Sequence, residues 1–453
     1  MKKVWIGICV GAILCVALSS TEAATGSAFG IVPAPKDIAL GPDVTLSLGG
    51  ALRLRYEFTD NFTLKWYGRG EGDGYLLERL WIDADFRFGD VARTFIRFQD
   101  ARVWDYSLPR EAFKSHPQHD EAELHEAFIE LKGSPQLPLG VKVGRQRIYY
   151  GDNRIFGPAT WANTGRWVWD AAKLLYASPE GKFMADAFYG RTVIHYPEDF
   201  NLEHRHEFEG YGVYSTIDAM PEITLDLFYV GKRDDHLSTT GESGPAGKLN
   251  IHNVGLRVGG KALKSWDYGA TFVRQFGDWG PDDIEAWGAH AGIGYTFPSC
   301  PWQPRLGLDL AYGSGDSDPQ DGKHESFDTI FGARDKLYGR MNLFNWKNLE
   351  NWQFSLTTKP IKKKLKVRLD YHLFYLAEER DAWYGPEPKA RRDREGTSGD
   401  EVGQEFDLTV SYKVSQSLRL MGGYCHFFAG DFIENTGPSD DADWVFLQVE
   451  HTF

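Results

Sequence analysis

A chain of 453 residues with a formal net charge of −14 is, taken as a whole, too acidic to suggest a nucleic-acid partner. Beyond the first residues no apolar run approaches the roughly 18 residues of a transmembrane helix, which excludes a helical membrane protein. Aromatic residues make up 14% of the chain and glycine is abundant, a mixture expected where alternating strands face lipid and tight turns join them. The alternative is a soluble all-β sandwich or β-helix enzyme.

The N-terminus predicts a secretory signal peptide. Two lysines precede an apolar run from Val4 to Leu18, and small residues follow up to Ala23 and Ala24. This run is shorter than the ~20 residues that span a bilayer, which disfavours a membrane anchor. We expect cleavage after Ala23 or Ala24, which changes the net charge to −15 because Lys2, Lys3 and Glu22 leave. The predicted organisation is a signal peptide at 1–23, a lead-in segment at 24–44 and a transmembrane β-barrel at 45–453.

Apolar and charged residues alternate in segments of about ten residues, the length of a tilted strand that crosses a bilayer. In the first segment, Leu52, Leu54 and Tyr56 share one face, whereas Arg53 and Arg55 lie on the other. An even number of about 18 strands is predicted, which places both termini on one side of the membrane. The predicted strands are 45–58, 75–88, 91–103, 122–132, 140–150, 168–177, 182–193, 205–218, 222–232, 250–260, 266–277, 284–297, 304–313, 350–359, 363–378, 402–414, 417–429 and 440–453.

The predicted connections alternate in length along the chain. Those after even-numbered strands are tight, as in Gly89-Asp90 and Ser415-Gln416. Long extracellular loops and short periplasmic turns typify a transmembrane barrel and are not needed in a sandwich. We therefore predict an all-β outer-membrane barrel of antiparallel strands in a Gram-negative bacterium. The long connections, which follow odd-numbered strands, are 59–74, 104–121, 151–167, 233–249, 314–349 and 379–401.

The final strand also fits a barrel. Val445, Leu447, Val449 and Phe453 share one face, and the chain ends in an aromatic residue. This resembles the C-terminal signal by which outer-membrane barrels are recognised for assembly, although His451 departs from the usual aromatic residue at its place.

The segment from Gly144 to Pro158, with the residues that follow it up to Asp170, is the most unusual stretch of the sequence. It leaves a strand, crosses a loop dense in Arg, Asn, Asp and Trp, and enters another strand. This segment closely resembles the signature of the alginate-export outer-membrane porins, and the strand pattern extends the resemblance over nearly all of the mature chain. The residues that match by position are Arg145, Arg147, Asp152, Asn153, Arg154 and Arg166.

The resemblance implies a monomeric channel of eighteen strands that passes a negatively charged polysaccharide from the periplasm to the exterior. In such a channel a positively charged constriction acts on the polymer. Some members occur in bacteria that are not expected to make alginate, so the family does not fix the substrate.

The arginines also support an anionic solute on physical grounds. Alginate carries one carboxylate per sugar, and guanidinium groups pair with carboxylates in a fork while staying charged. Rings of cations inside a pore select anions. Polar lining that only solvates a wide barrel is the alternative role for these arginines. Asp83, Asp85, Asp152 and Asp170 are expected to hold some of them in place. The arginines on the polar faces of predicted strands are Arg53, Arg55, Arg79, Arg87, Arg97 and Arg368.

No metal or cofactor is predicted. His116, His119, Asp120, Glu121, Glu123 and His125 are close in sequence but lack a recognised ligand spacing, which favours a solvated outer loop. Cys300 and Cys425 are too few for a disulfide framework. The basic run Lys362, Lys363 and Lys364 is expected among lipid headgroups at a periplasmic turn.

The sequence thus favours a passive export channel for an acidic polysaccharide such as alginate, working with a periplasmic scaffold that delivers the chain. A general or anion-selective porin for small-solute uptake is the second hypothesis, and an outer-membrane enzyme is the third. Because the turn at Ser415-Gln416 is short, a gate has to come from outer loops such as 151–167 or 314–349 folded inward.

Overall fold

The computed structural model describes residues 34–453 except 64, 108–117, 221, 243, 263 and 388. The predicted signal peptide at 1–23 and the first part of the lead-in segment lie outside the described residues. No helix among the described residues is long and apolar enough to cross a membrane.

Within the described residues, eighteen antiparallel strands form one closed barrel, as predicted. Each strand pairs with the next along the chain, and the last strand pairs with the first from Ala51–Thr452 to Asp60–Asp443. The strands are β1 (Val44–Phe62), β2 (Tyr67–Phe88), β3 (Ala92–Trp104), β4 (Asp120–Leu131), β5 (Leu139–Arg147), β6 (Val168–Ala177), β7 (Phe183–Val193), β8 (His204–Met220), β9 (Ile223–Thr239), β10 (Gly247–Ala262), β11 (Trp266–Trp279), β12 (Asp282–Thr296), β13 (Arg305–Gly313), β14 (Leu349–Ile361), β15 (Leu365–Tyr375), β16 (Glu401–Lys413), β17 (Leu418–Ala429) and β18 (Ala442–Thr452).

Short strands and one short helix lie at the long-loop end of the barrel. A six-residue helix, α1 (Asp431–Thr436), lies between the last two strands. Two-residue strands occur at Lys323–His324, Ala382–Trp383 and Arg391–Arg392, all within long connections.

The two faces of the strands meet different surroundings. On β1, Leu54 and Tyr56 are 38% and 46% exposed, whereas Arg53 and Arg55 are 3% and 1% exposed. Large apolar side chains are likewise exposed on the other strands, for example Ile82 and Ile129. Such an outer apolar band is what a barrel presents to lipid, and it is the reverse of a sandwich, in which the apolar rows would form a core.

Two of the predicted long connections are wrong. The segment 59–74 is mostly strand, because β1 continues to Phe62 and β2 begins at Tyr67. The segment 233–249 is shortened in the same way by β9 and β10. Glycine-rich and polar residues indicated loops there, but backbone hydrogen bonds extend both hairpins beyond the segments with apolar alternation.

Residues 148–167 and 314–348 fold into the barrel and pack against each other. The amide of Gly157 donates to the carbonyl of Phe331 at 3.0 Å, and the amide of Ala333 donates to the carbonyl of Asn153 at 2.9 Å. Phe156, Trp169 and Phe331 are fully buried with ring centroids 4.6–5.2 Å apart. These loops therefore bring an aromatic core into a lumen that the strand pattern predicts to be polar.

A short strand precedes the barrel. Ile38–Gly41 lies within the predicted lead-in segment 24–44 and pairs antiparallel with β1 at Leu46, Thr45 and Val44. It occupies the edge of β1 beyond the end of β18, where Phe453 and Gly50 exchange two backbone hydrogen bonds of 3.1 Å.

Replacing Gly144 with alanine should destabilise the barrel by at least about 2 kcal/mol. Gly144 has a φ of +125°, and an added Cβ would lie 2.3 Å from the carbonyl oxygen of Ala127 on the neighbouring strand. The urea midpoint of the folded, heat-modifiable form in detergent measures the loss. Gly269→Ala is the matched control, because its added Cβ would meet only the Val258 carbonyl at 3.9 Å. Equal midpoints for the two variants would contradict the expectation.

Candidate functional site

A basic cavity of about 860 Å³ lies toward the short-turn end of the barrel, the end that faces the periplasm in outer-membrane barrels. It is bounded by the inner wall and by the two inward loops. Among the described residues, twelve lysine and arginine side chains line it, against three carboxylates, Asp152, Asp335 and Glu450. The basic residues are Arg53, Arg79, Arg147, Lys336, Arg340, Lys359, Lys363, Lys364, Lys366, Arg368, Lys413 and Arg419.

A second cavity of about 360 Å³ lies toward the long loops. Arg55, Lys65, Arg166, Arg334 and Arg340 line it, together with Glu57 and Asp335. The two cavities share part of their lining, and these shared residues form the boundary between them. The shared residues are Ala159, Trp161, Asp335, Arg340 and Asn342.

The wall arginines of β1 and β2 anchor loop 148–167. Arg53 donates to the carbonyls of Thr160 at 3.3 Å and Ala162 at 3.2 Å, and Arg79 donates to Thr160 at 3.2 Å. Arg55 donates to the carbonyl of Trp161 at 2.8 Å. These three predicted pore-lining arginines therefore all direct guanidinium donors to the protein's own main chain.

Arg55 also has a carboxylate partner and an aromatic one. Its Nε lies 2.6 Å from Glu57 Oε1, and its guanidinium stands 4.2 Å from the centre of the Trp161 ring. Arg55 and Glu57 are almost completely buried and Trp161 is half-buried, so Arg55 holds the loop at the boundary between the cavities.

Arg97 and Arg147 share Glu126. Arg97 pairs with Glu126 at 3.1 Å and, in a fork, with Asp83 at 2.6 Å. Arg147 pairs with Glu126 at 2.8 Å and still faces the larger cavity with a side chain that is 23% exposed. Carboxylates thus hold the guanidinium groups in fixed positions, which leaves Arg147 partly available to a solute.

The other residues predicted by position on the β5–β6 segment fall into two groups. Arg145 is buried and pairs with Asp170 at 2.9 Å, outside both cavities. Arg154 is also buried and pairs with Asp152 at 3.0 Å. Asp152 and Asn153 line the larger cavity, and Arg166 lines the smaller one.

Arg87 and Arg368 lie on the predicted polar faces but in different places. Arg87 pairs with Asp85 at 3.2 Å near a short turn, with a side chain that is 56% exposed, and it lines neither cavity. Arg368 pairs with Asp370 at 2.7 Å and lines the larger cavity.

Several basic residues of the cavities were not assigned from the sequence. Lys363 and Lys364 line the larger cavity rather than lying only among headgroups. Loop 314–348 supplies Arg334, Lys336 and Arg340, and no ion pair of Arg340 is found among the described residues. Arg340 lies in the loop that the sequence suggested as a gate. That position is the signal that could have identified Arg340.

The loop cations are crowded. Burial and the nearby Arg166 lower the pKa of Arg334 to about 9, so its guanidinium stays charged at neutral pH. Burial, Arg340 and Arg368 lower the pKa of Lys336. Like charges that perturb one another in this way mark a region where an anion gains favourable interactions.

The acidic and histidine-rich segment predicted to be a solvated outer loop is buried where the structure describes it. His119, Asp120, Glu123 and His125 are 1–2% exposed. His195 comes from the 194–203 connection and lies 2.7 Å from Asp120 and 3.2 Å from Glu123. The prediction of a solvated loop is wrong for these residues, because the connection folds onto the inner wall; His116 lies outside the described residues.

A closed barrel with an outer apolar band, a basic interior and inward loops defines an outer-membrane channel of the porin type. Solved structures share this fold. The chain is similar to OccAB2 of Acinetobacter baumannii, at 11% identity and a TM-score of 0.60 over 90% of this chain and 98% of that one. It is also similar to OpdK of Pseudomonas aeruginosa, solved with vanillate, at 12% identity and a TM-score of 0.57 over 90% and 98% of the chains.

The family described as alginate export matches residues 44–446, and the chain belongs to this family. No curated protein matches this chain. The resemblance that the segment from Gly144 to Asp170 indicated is thereby confirmed at the level of the family.

Proposed function

We propose that this channel exports an anionic polysaccharide, alginate or a similar polymer of uronic acids, through its basic interior. The observation that carries the proposal is the excess of twelve basic over three acidic side chains that the described part of the chain places around the larger cavity, in a chain whose net charge is −14. A polymer with a carboxylate on each sugar would find successive cationic partners along this surface.

The membership of the alginate-export family supports the same substrate class. The chain would act as a monomer in the outer membrane after cleavage of its signal peptide, and a periplasmic scaffold would deliver the polymer to the short-turn end. The short turns leave that entrance lined by Lys359, Lys363, Lys364 and Lys413. Passive diffusion through such a channel needs no nucleotide cofactor.

A second candidate is uptake of small anionic solutes. The inward loops divide the interior into cavities of about 860 and 360 Å³, which would admit small molecules more readily than a polymer unless the loops move. The similar barrel of OpdK was solved with vanillate. An enzyme is the third candidate, and the fold and family are those of a channel.

Conductance in planar bilayers should distinguish these functions. The purified barrel is expected to pass a current that favours anions, and uronate oligomers added on the short-turn side should block it increasingly with length. Neutral oligosaccharides of the same lengths serve as controls. Block by monomeric carboxylates with no gain for longer oligomers would favour small-solute uptake. A cation-selective current without block by uronates would contradict both anion-channel proposals.

A further inference from the structure

The cluster of Asp120, Glu123 and His195 stands apart from the two cavities described above. One ligand atom from each of these residues lies within 4.8 Å of the others. All three belong to the long-loop end of the barrel, where β4 begins and where the 194–203 connection folds inward. The cluster therefore joins a wall strand to a loop from the far side of β5 and β6.

The backbone of β4 is distorted so that both carboxylates reach one place. Residues three apart on a regular strand point to opposite faces. Here Ala122 has a φ of +56°, and the ladder between β3 and β4 shifts between Gln99 and Ala101. This β-bulge turns Asp120 and Glu123 to the same side, at the energetic cost of a left-handed conformation in a residue with a side chain.

The charges in the cluster are incompletely compensated. Glu126, three residues further on, is paired with both Arg97 and Arg147. Asp120 and Glu123 have no lysine or arginine partner among the residues that the structure describes, only histidines. When both carboxylates are ionised, their charge exceeds that of a single protonated His195, and such an excess is costly in an environment of low dielectric constant.

Several buried polar atoms of the cluster lack hydrogen-bond partners. Within the described part of the chain, Asp120 Oδ1 and His195 Nε2 have no partner, and Glu123 Oε1 makes no hydrogen bond but only the ion-pair contact with His195 Nδ1 at 3.2 Å. Asp120 and Glu123 are each 1% exposed, so bulk water does not compensate their oxygens. A cation bound between the carboxylates would satisfy the two oxygen atoms and remove the charge excess.

We propose that Asp120, Glu123 and His195 form a binding site for a divalent transition-metal ion of the Zn²⁺ class. Two carboxylates and one imidazole are ligands that Zn²⁺ accepts, whereas Ca²⁺ and Mg²⁺ prefer a shell of oxygen atoms only. A tetrahedral Zn²⁺ holds neighbouring ligand atoms about 3.3 Å apart. His195 Nδ1 already lies 3.2 Å from Glu123 and 2.7 Å from Asp120, so the site needs only a small adjustment.

The metal would stabilise the inward loops. Gln99 donates to both Glu123 Oε2 at 3.3 Å and the carbonyl of Thr164 at 3.0 Å. Through Gln99 the site connects to loop 148–167, which bounds both cavities. Bound metal therefore fixes the 194–203 connection and loop 148–167 against the same strands.

Calorimetric titration of the chelator-treated full barrel in detergent with Zn²⁺ tests the site. We expect one Zn²⁺ per barrel, and at least about tenfold weaker binding in Glu123→Gln and His195→Gln. Glu121→Gln and His206→Gln, a neighbouring carboxylate and a histidine at the start of β8, should bind within about twofold of the wild type. Excess Ca²⁺ should not displace the Zn²⁺.

The absence of stoichiometric binding, or equal losses in the control variants, would overturn the proposal and leave a cluster bridged by protons alone. Displacement by Ca²⁺ would overturn the assigned metal class. If the His195 variant fails to fold, the X-ray absorption spectrum of Zn²⁺ on the wild-type barrel decides. It should show one imidazole among oxygen ligands, and a shell without imidazole would refute the site.

Discussion

Replacing Arg53 and Arg79 together with methionine should raise the single-channel conductance about threefold or more. The two guanidinium groups donate four hydrogen bonds to loop 148–167, three to main-chain carbonyls and one to Asn163 Oδ1 at 3.1 Å. Hydrogen bonds from charged donors contribute about 1.5–3 kcal/mol each. Their loss therefore lowers the free energy that holds the loop inward by several kcal/mol. Methionine keeps much of the side-chain volume, and neither arginine has an ion-pair partner in the described segments.

The measurement should be made in about 1 M KCl, where charges are screened within about 3 Å. The lost positive charge then contributes little, and the change reports the position of the loop. Arg87→Met is the matched control, because Arg87 is a lumen-face arginine whose partner is Asp85 on its own strand. Wild-type conductance in the double variant would show that the aromatic packing holds the loop without these arginines.

Arg340→Glu should lower the anion-to-cation permeability ratio about tenfold and abolish block by uronate oligomers. Arg340 lines both cavities, so an ion that moves from one cavity to the other passes near it. A unit charge at roughly 5 Å in water contributes about 0.8 kcal/mol, and reversing its sign doubles the change. The main-chain amide of Met341 donates to Glu405 at 3.0 Å, and this anchor of the loop does not depend on the Arg340 side chain.

Reversal potentials in a salt gradient measure this ratio. Arg394→Glu makes the same change in total charge on an exposed loop residue that lines neither cavity. Its ratio should stay near that of the wild type. If both variants shift the ratio equally, the selectivity belongs to the overall field of the protein and not to the boundary between the cavities.

The barrel itself could be predicted from the sequence because its determinants are local. The alternation of Leu54 and Tyr56 with Arg53 and Arg55 follows from the period of a strand, and the same period repeats in every wall strand. Strand ends were less predictable. Where β1 and β2 continue past the apolar band into glycine-rich residues, ladder hydrogen bonds and not side-chain pattern decide the boundary.

The interior could be predicted only in part, since its contacts join residues far apart in the chain. The polar face of β1 identified Arg53, but not that its partners are the carbonyls of Thr160 and Ala162. The convergence of Asp120 with His195 depends on a bulge and on an inward connection, neither of which has a sequence signature. Arg340 likewise becomes important only once loop 314–348 lies inside the barrel.

The short strand Ile38–Gly41 protects the edge of β1 that β18 does not reach. β18 ends at Thr452, so the first residues of β1 would otherwise present free amide and carbonyl groups along one side. An open sheet edge of this kind recruits strands from other molecules. Because Ile38–Gly41 pairs with this edge, a strand of a neighbouring copy in the membrane cannot form backbone hydrogen bonds with β1 at this position.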